Sequence, residues 1–150
     1  MGTVNSINEK NVEQLNSFLR GEMSAVETYR MALEKLEQGS AARPQLNKCM
    51  TSHQERVRTL TSKIVELGGA PADGSGAWGA WAKLVLGAAD VFGDKAAISA
   101  LEEGEDHGLK DYRQDMTSLD SGLRQMVVSD LLPQQETTHR TMSTLKRQYQ

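Results

Sequence analysis

The chain has 150 residues, a mass of 16.5 kDa and a formal charge of -3. This length fits a single domain, 1–150, and the absence of clustered cations excludes a nucleic-acid or anionic-membrane partner. One cysteine, Cys49, excludes an internal disulfide, and no run reaches the roughly 18 apolar residues of a membrane span. Because the first twenty residues are polar and hold no apolar signal core, we expect a cytoplasmic protein.

Periodic apolar residues predict four long helices, over residues 8–38, 43–68, 94–118 and 122–149. Each helix carries one apolar stripe, in which the residues recur at steps of three and four. In chain order the stripes are Leu15, Leu19, Val26, Tyr29, Leu33 and Leu36; Leu46, Met50, Val57, Leu60, Ile64 and Leu67; Ile98, Leu101, Leu109, Tyr112 and Met116; and Leu132, Met142, Leu145 and Tyr149.

Five ionisable residues occupy positions within these stripes, near the middle of their helices: Glu22, His53, Glu105, Glu136 and His139. Since the midpoints of packed helices share one layer, we expect the five side chains to converge inside the bundle. Lone buried charges are strongly disfavoured, so they must be paired, neutralised or bound to a cation. The stretch Glu136-Thr-Thr-His139 has the spacing with which four-helix bundles hold metals.

The segment between the second and third helices, from 68 to 94, predicts a long crossover instead of a tight turn. It begins with a Gly- and Pro-rich stretch and continues as a short amphipathic helix that includes Trp78 and Trp81. Such a connection can travel the length of the bundle, which is typical of a ferritin-like topology. Its aromatic face is expected to lie on the bundle; the alternative is an exposed face that joins copies of the chain into a homo-oligomer.

The two halves of the chain repeat. Gly21-Glu22 and Tyr29-Arg30 match Gly104-Glu105 and Tyr112-Arg113 at an offset of 83, which is 104 minus 21. The second and fourth helices are aligned at an offset of 86, with Leu46, Met50 and His53 matching Leu132, Glu136 and His139. Symmetry between two helix hairpins favours a shared central site.

With these motifs the chain resembles the ferritin-like superfamily, and more closely a group of small bacterial four-helix-bundle proteins known as a domain of unknown function. The resemblance spans nearly the whole chain and implies an all-α, ferritin-like four-helix bundle. It is carried by Gly21-Glu22, the turn 67–71, the Trp-containing crossover, the stretches 101–106 and 109–112, and Leu131-Leu132-Pro133 leading to His139.

The resemblance also implies a ligand set. Ferritin-like di-metal proteins use a Glu on helices one and three and Glu-x-x-His on helices two and four, a pattern that maps onto Glu22, Met50 with His53, Glu105, and Glu136 with His139. Met50 departs from it, because a thioether is a poor ligand for hard ions. The remaining residues would hold one or two divalent ions such as Zn, Fe or Mn, with Glu102 as a secondary candidate.

Several alternatives stay open. The five residues are equally consistent with a salt-bridged layer that fixes helix register without metal. Tyr29 and Tyr112 are interpreted as packing residues, and Cys49 is assigned no chemistry. For function, the first hypothesis is a non-catalytic or weakly active metal-binding protein of the stress-associated ferritin-like type. The others are an oxidoreductase that oxidises ferrous iron or consumes peroxide, and a bundle with a vacant site that serves assembly or partner contact.

Overall fold

The chain folds as an all-α four-helix bundle in a computed structural model that describes residues 2–76, 83, 87 and 93–149. The fourth helix is interrupted by a π-helical turn, so it is described as two α-helices. The helices are α1 Gly2–Lys35, α2 Arg43–Glu66, α3 Asp94–Asp115, α4 Ser121–Met126 and α5 Leu132–Gln148. No helix among these described ranges is long and apolar enough to cross a membrane.

Two apolar clusters fill the bundle, one towards each end. The first joins the C-terminal half of α1 to the start of α2, the start of α3 and the end of α5. The second joins the N-terminal half of α1 to the end of α2, the end of α3 and α4. α1 and α5 therefore run in one direction, and α2 and α3 run in the other.

This topology confirms the predicted long crossover. Since α2 ends at the second cluster and α3 begins at the first, the chain between Glu66 and Asp94 must travel the length of the bundle. Its first part lies against α1, where the Asn16 side chain donates to the carbonyl of Ala70 and accepts from the amide of Ala72. The predicted amphipathic helix with Trp78 and Trp81 lies outside the described residues, and its role in a homo-oligomer stays a prediction.

The π-helical turn Val127–Leu131 directly precedes Pro133, which stands in the first turn of α5. Proline has no backbone N–H, and its ring clashes with the carbonyl four residues earlier in a regular α-helix. A π turn holds one extra residue and absorbs this conflict. Leu123, Val127 and Leu131, at steps of four, all remain buried across it.

Candidate functional site

A layer of polar side chains separates the two apolar clusters at the middle of the bundle. We call it the ionic layer. Its members come from all four helical arms and are all buried: Glu22, Tyr29, His53, Arg56, Glu105, Tyr112, Gln135 and Thr138. Burying charge costs free energy unless every charged group is paired and hydrogen-bonded, so the partners of each group decide what the layer can do.

Arg56 lies at the centre of the layer and is fully buried. Its Nη1 donates to Glu22 Oε1 at 3.2 Å and to Gln135 Oε1. Its Nη2 donates to Thr138 Oγ1 and to Ser52 Oγ, both at 3.1 Å, and its Nε donates to the Ser52 carbonyl at 3.4 Å. All five guanidinium N–H groups are therefore used inside the protein.

His53 bridges the two buried carboxylates. Its Nδ1 lies 2.6 Å from Glu22 Oε2, and its Nε2 lies 2.7 Å from Glu105 Oε2. An ionised carboxylate only accepts hydrogen bonds, so both ring nitrogens carry hydrogen and the ring is an imidazolium. With Arg56, the layer then holds two cations and two anions, and its charge is balanced.

The pKa shifts agree with this charge state. Burial and the charge of Arg56 lower the pKa of His53, but Glu105 and Glu22 outweigh them and raise it above its usual value of 6.5. Burial alone would raise the pKa of Glu105, yet the charge and hydrogen bond of His53, with Arg56 and Tyr29, lower it to about 2. The pKa of Glu22 is also lowered, because Arg56 and His53 outweigh its burial.

The two tyrosines complete the layer as a symmetric pair. Tyr29 of α1 donates to Glu105 of α3 at 2.5 Å, and Tyr112 of α3 donates to Glu22 of α1 at 2.7 Å. The two glutamates and the two tyrosines are each separated by 83 residues, which is the offset of the repeat between the two halves of the sequence. Tyr29 and Tyr112 are therefore more than packing residues, and their position one heptad after each glutamate was the available signal.

The expectation that five ionisable residues converge is confirmed for the positions of Glu22, His53 and Glu105 and is wrong for Glu136 and His139. The Glu136 side chain is 41 % exposed and accepts from Arg113 Nη2 at 3.3 Å. The ring of His139 lies near the surface, with Nε2 at 3.7 Å from Glu102 and 3.6 Å from Asp106.

The physical reason is the register of α5. The buried residues are Leu131, Gln135, Thr138, Met142 and Leu145, which recur at alternating steps of four and three. The predicted stripe placed three steps of three in succession, from Glu136 to Leu145, and its first half therefore lay one residue away from the buried face. Glu102, the secondary candidate, accepts from Lys146 at 3.4 Å and does not reach the layer.

The register predicted for α2 also needs correction. Cys49 and Arg56 are buried, whereas Met50 and Val57 pack at the edges of the clusters. Burial and the nearby Glu105 charge raise the pKa of Cys49 to about 12, so its thiol stays protonated and unreactive. The buried positions of α2 and α5 therefore correspond at an offset of 82, which is 135 minus 53, and not at the offset of 86 at which the sequence matches.

With this register, the four central positions of α2 and α5 keep the i, i+3 spacing of a Glu-x-x-His pair but not its residues. α2 presents His53 and Arg56, and α5 presents Gln135 and Thr138. A di-metal centre needs carboxylates and neutral imidazoles there. Instead the site holds a guanidinium, a charged imidazole, an amide and a hydroxyl, and these residues do not fit two metal ions.

Sequence reasoning missed Arg56, Gln135 and Thr138, the three residues that decide this chemistry. Among the residues that the structure describes, no group of three or more His, Cys, Asp or Glu side chains is arranged to hold a metal ion. Of the five predicted ligands, Glu22, His53 and Glu105 lie in the layer, and only Glu22 and Glu105 supply carboxylates there.

The fold is that of a ferritin-like four-helix bundle. Residues 10–118 match the family described as a domain of unknown function (DUF2383), and the chain belongs to that family. The fold is similar to that in a crystal structure of ferritin like, diiron-carboxylate proteins from Bacillus anthracis str. Ames, with a TM-score of 0.64 and 16 % identity over 99 % of this chain and 96 % of that one. No protein of curated function matched.

Proposed function

We propose that this protein is a ferritin-like bundle with a metal-independent centre, which acts as a structural or partner-binding protein and not as an oxidoreductase. The observation that carries the proposal is the position of Arg56. Its guanidinium occupies the middle of the layer, is held by five hydrogen bonds, and supplies there the positive charge that a metal ion would supply.

Charge balance supports this proposal. Glu22 and Glu105 are already neutralised by His53 and Arg56, with which they form close ion pairs. A divalent ion in the layer would meet two buried cations, so Arg56 would have to be displaced and His53 would have to be displaced or deprotonated. Removing one partner from a buried, hydrogen-bonded ion pair typically costs about 3–5 kcal/mol, so metal binding opposes the packing of the bundle.

The chemistry of the remaining donors weighs against oxidation of ferrous iron or turnover of peroxide. Both reactions need a redox metal with an open coordination position. Gln135 and Thr138 stand where a carboxylate and an imidazole would be needed, and both are committed to Arg56 and Glu105. The layer therefore favours a stabilising role over a catalytic one.

Divalent-metal binding at a reduced site is the second candidate. It is favoured by Glu22 and Glu105, which retain the carboxylates of the pattern, and by the similar fold of the Bacillus anthracis protein, which is described as a diiron-carboxylate protein. Under this alternative Glu22, His53 and Glu105 would bind one ion, and Arg56 would leave the layer.

Metal stoichiometry separates the two candidates. Protein without a histidine tag, purified from cells grown with added Fe, Mn or Zn, is expected to hold far less than one ion per chain by elemental mass spectrometry. Ferrous oxidation should equal that of buffer. A matched variant that restores both Glu-x-x-His pairs, His53→Glu with Arg56→His and Gln135→Glu with Thr138→His, is expected to bind divalent ions, which shows that the assay detects this site.

The opposite result would be a stoichiometric ion in the natural protein that is lost in Glu105→Gln. That outcome assigns the ion to the central layer and replaces the metal-independent proposal with the reduced metal site. An ion that survives both Glu105→Gln and Glu22→Gln lies elsewhere on the molecule and leaves the assignment of the layer intact.

A further inference from the structure

A small cavity lies between α1 and α3 beside the ionic layer. Its volume is about 60 Å³. The partly exposed residues Ala25, Gly104 and Gly108 and the exposed His107 line its outer part, and the buried Tyr29 and His53 line its interior. The cavity thus connects the surface of the bundle with its buried centre through a gap left by small residues.

The polar groups at the floor of this cavity are already saturated. Glu105 accepts four hydrogen bonds, two on Oε1 from Gln135 and Thr138 and two on Oε2 from Tyr29 and His53. Four is the capacity of a carboxylate. A ligand that needs to donate a hydrogen bond finds no free acceptor on this side chain.

The buried donors that line the cavity are committed as well, and at its edge His107 Nε2 lies 3.7 Å from Asp111 Oδ2. Both ring N–H groups of His53 and the hydroxyl of Tyr29 serve the two carboxylates, and the Gln135 amide donates to the backbone and side chain of Glu105. The Thr28 hydroxyl donates to the carbonyl of Ser24 at 2.6 Å. An ordered water needs two to four polar partners, which these groups do not offer.

Gly108 lines the cavity and lies close to Gln135 of the ionic layer. A Cβ at this position would lie 3.0 Å from Gln135 Nε2, closer than ordinary contact. Any larger side chain would push the amide that holds Glu105. The absence of a side chain at position 108 therefore keeps this side of the cavity open and leaves the Gln135 amide in place.

We propose that this cavity is a binding site for a small, uncharged, apolar molecule of two or three heavy atoms. Apolar walls and saturated polar groups exclude ions and hydrogen-bonding ligands. The volume sets the size, because a dry apolar cavity of about 150 Å³ accepts benzene or xenon and this one is less than half as large. The proposal rests on the metal-independent layer, because an ion bound by Glu22, His53 and Glu105 would break the hydrogen bonds that saturate these side chains.

Xenon is a suitable probe. Methyl NMR of the natural protein under xenon pressure is expected to show a saturable shift of the Leu101 methyl resonances, while the Ile64 methyl resonances, in the other cluster, do not move. Formamide, which has three heavy atoms but needs hydrogen bonds, should produce no saturable shift at Leu101. The comparison of xenon with formamide distinguishes selective binding of apolar molecules from entry of any molecule that is small enough.

Filling the cavity tests its location. Ala25→Leu is expected to abolish the xenon shift at Leu101, and Gly104→Ala serves as a smaller filler if the first variant folds poorly. Ala41→Leu, the same change in the exposed turn between α1 and α2, should leave the shift unchanged. The absence of a saturable xenon shift in the natural protein, or its persistence in both filled variants, would overturn the proposal, as would a formamide shift equal to that of xenon.

Discussion

Arg56 is a fully buried cation whose removal would leave Glu22 and Glu105 with only His53 as a charge partner and would free hydrogen-bonding groups on Gln135 and Thr138. We expect Arg56→Met to lower the free energy of unfolding by about 3–5 kcal/mol, the usual cost of breaking a buried ion pair. Chemical denaturation of both proteins measures this change in the free energy of unfolding. Arg58→Met, at an exposed position of the same helix, should change stability by no more than about 0.5 kcal/mol. Equal effects of the two variants would mean that Arg56 does not hold the layer together.

His53 makes stability depend on pH on the alkaline side. Its pKa is raised in the folded state, so its contribution to the free energy of unfolding is complete below about 6.5 and is lost as the pH rises through the folded-state pKa. Urea denaturation of the natural protein should therefore show falling stability above pH 6.5. In His53→Gln this slope should disappear, while His107→Gln, on the exposed face of α3, should retain it. A slope that is unchanged in His53→Gln would contradict the imidazolium assignment.

Glu105 has the opposite dependence. Since its pKa falls from 4.5 to about 2 on folding, its contribution is complete above 4.5 and is lost as the pH falls towards 2. The contribution of the layer to stability should therefore be largest between pH 4.5 and pH 6.5. Replacement by Gln removes this acid-side loss but leaves His53 with one carboxylate, so the variant should be less stable at neutral pH.

At the scale of the residue, the sequence identified Glu22, His53 and Glu105 because each interrupts an otherwise regular apolar stripe. Arg56 was not identified, since Val57 beside it is more hydrophobic and a pattern based on hydrophobicity selects the wrong neighbour. A long cation in a core is stable only with partners from other helices. Those partners lie on α1 and α5, and one stretch of sequence does not reveal them.

At the scale of the element, the register of α5 illustrates a second limit. Counting back from Met142 and Leu145 by alternating steps of three and four identifies the buried face, which also carries Thr138, Gln135 and Leu131. The motif Glu136-Thr-Thr-His139 favoured the face one residue further along the helix. The π turn before Pro133 adds one residue and weakens any extrapolation from α4 into α5. Motif spacing alone therefore does not establish which face of a helix is buried.

The turn after α2 supports a prediction about close packing. At Gly69 a Cβ would lie 2.6 Å and 2.8 Å from the two methyl groups of Val12, and 3.2 Å from Ile64 Cγ2. Gly69→Ala should lower the free energy of unfolding by about 1–3 kcal/mol, as expected for overpacking. Gly39→Ala, where nothing lies within 4 Å and φ is not positive, should be neutral or slightly stabilising. Thermal denaturation compares the two variants. Equal midpoints would show that the residues around Gly69 move to accommodate the added methyl group without loss of stability.

At the scale of the whole molecule, the fold was predictable because three independent patterns agree. The apolar stripes predict four helices, and the repeat between the two halves of the chain predicts that they form two similar hairpins. The length of the crossover predicts that the second and third helices run in the same direction. The predicted boundaries lie close to the observed ones, except that α1 begins at Gly2 and not near residue 8. The cytoplasmic location and the oligomeric state stay predictions.

The most direct test of the metal-independent centre is anomalous X-ray diffraction from crystals grown with Fe²⁺, Mn²⁺ or Zn²⁺. We expect no anomalous peak within the layer, and we expect Arg56 to remain between Glu22 and Gln135 at hydrogen-bonding distance. An anomalous peak between Glu22 and Glu105, with the Arg56 guanidinium displaced from the layer, would contradict the account.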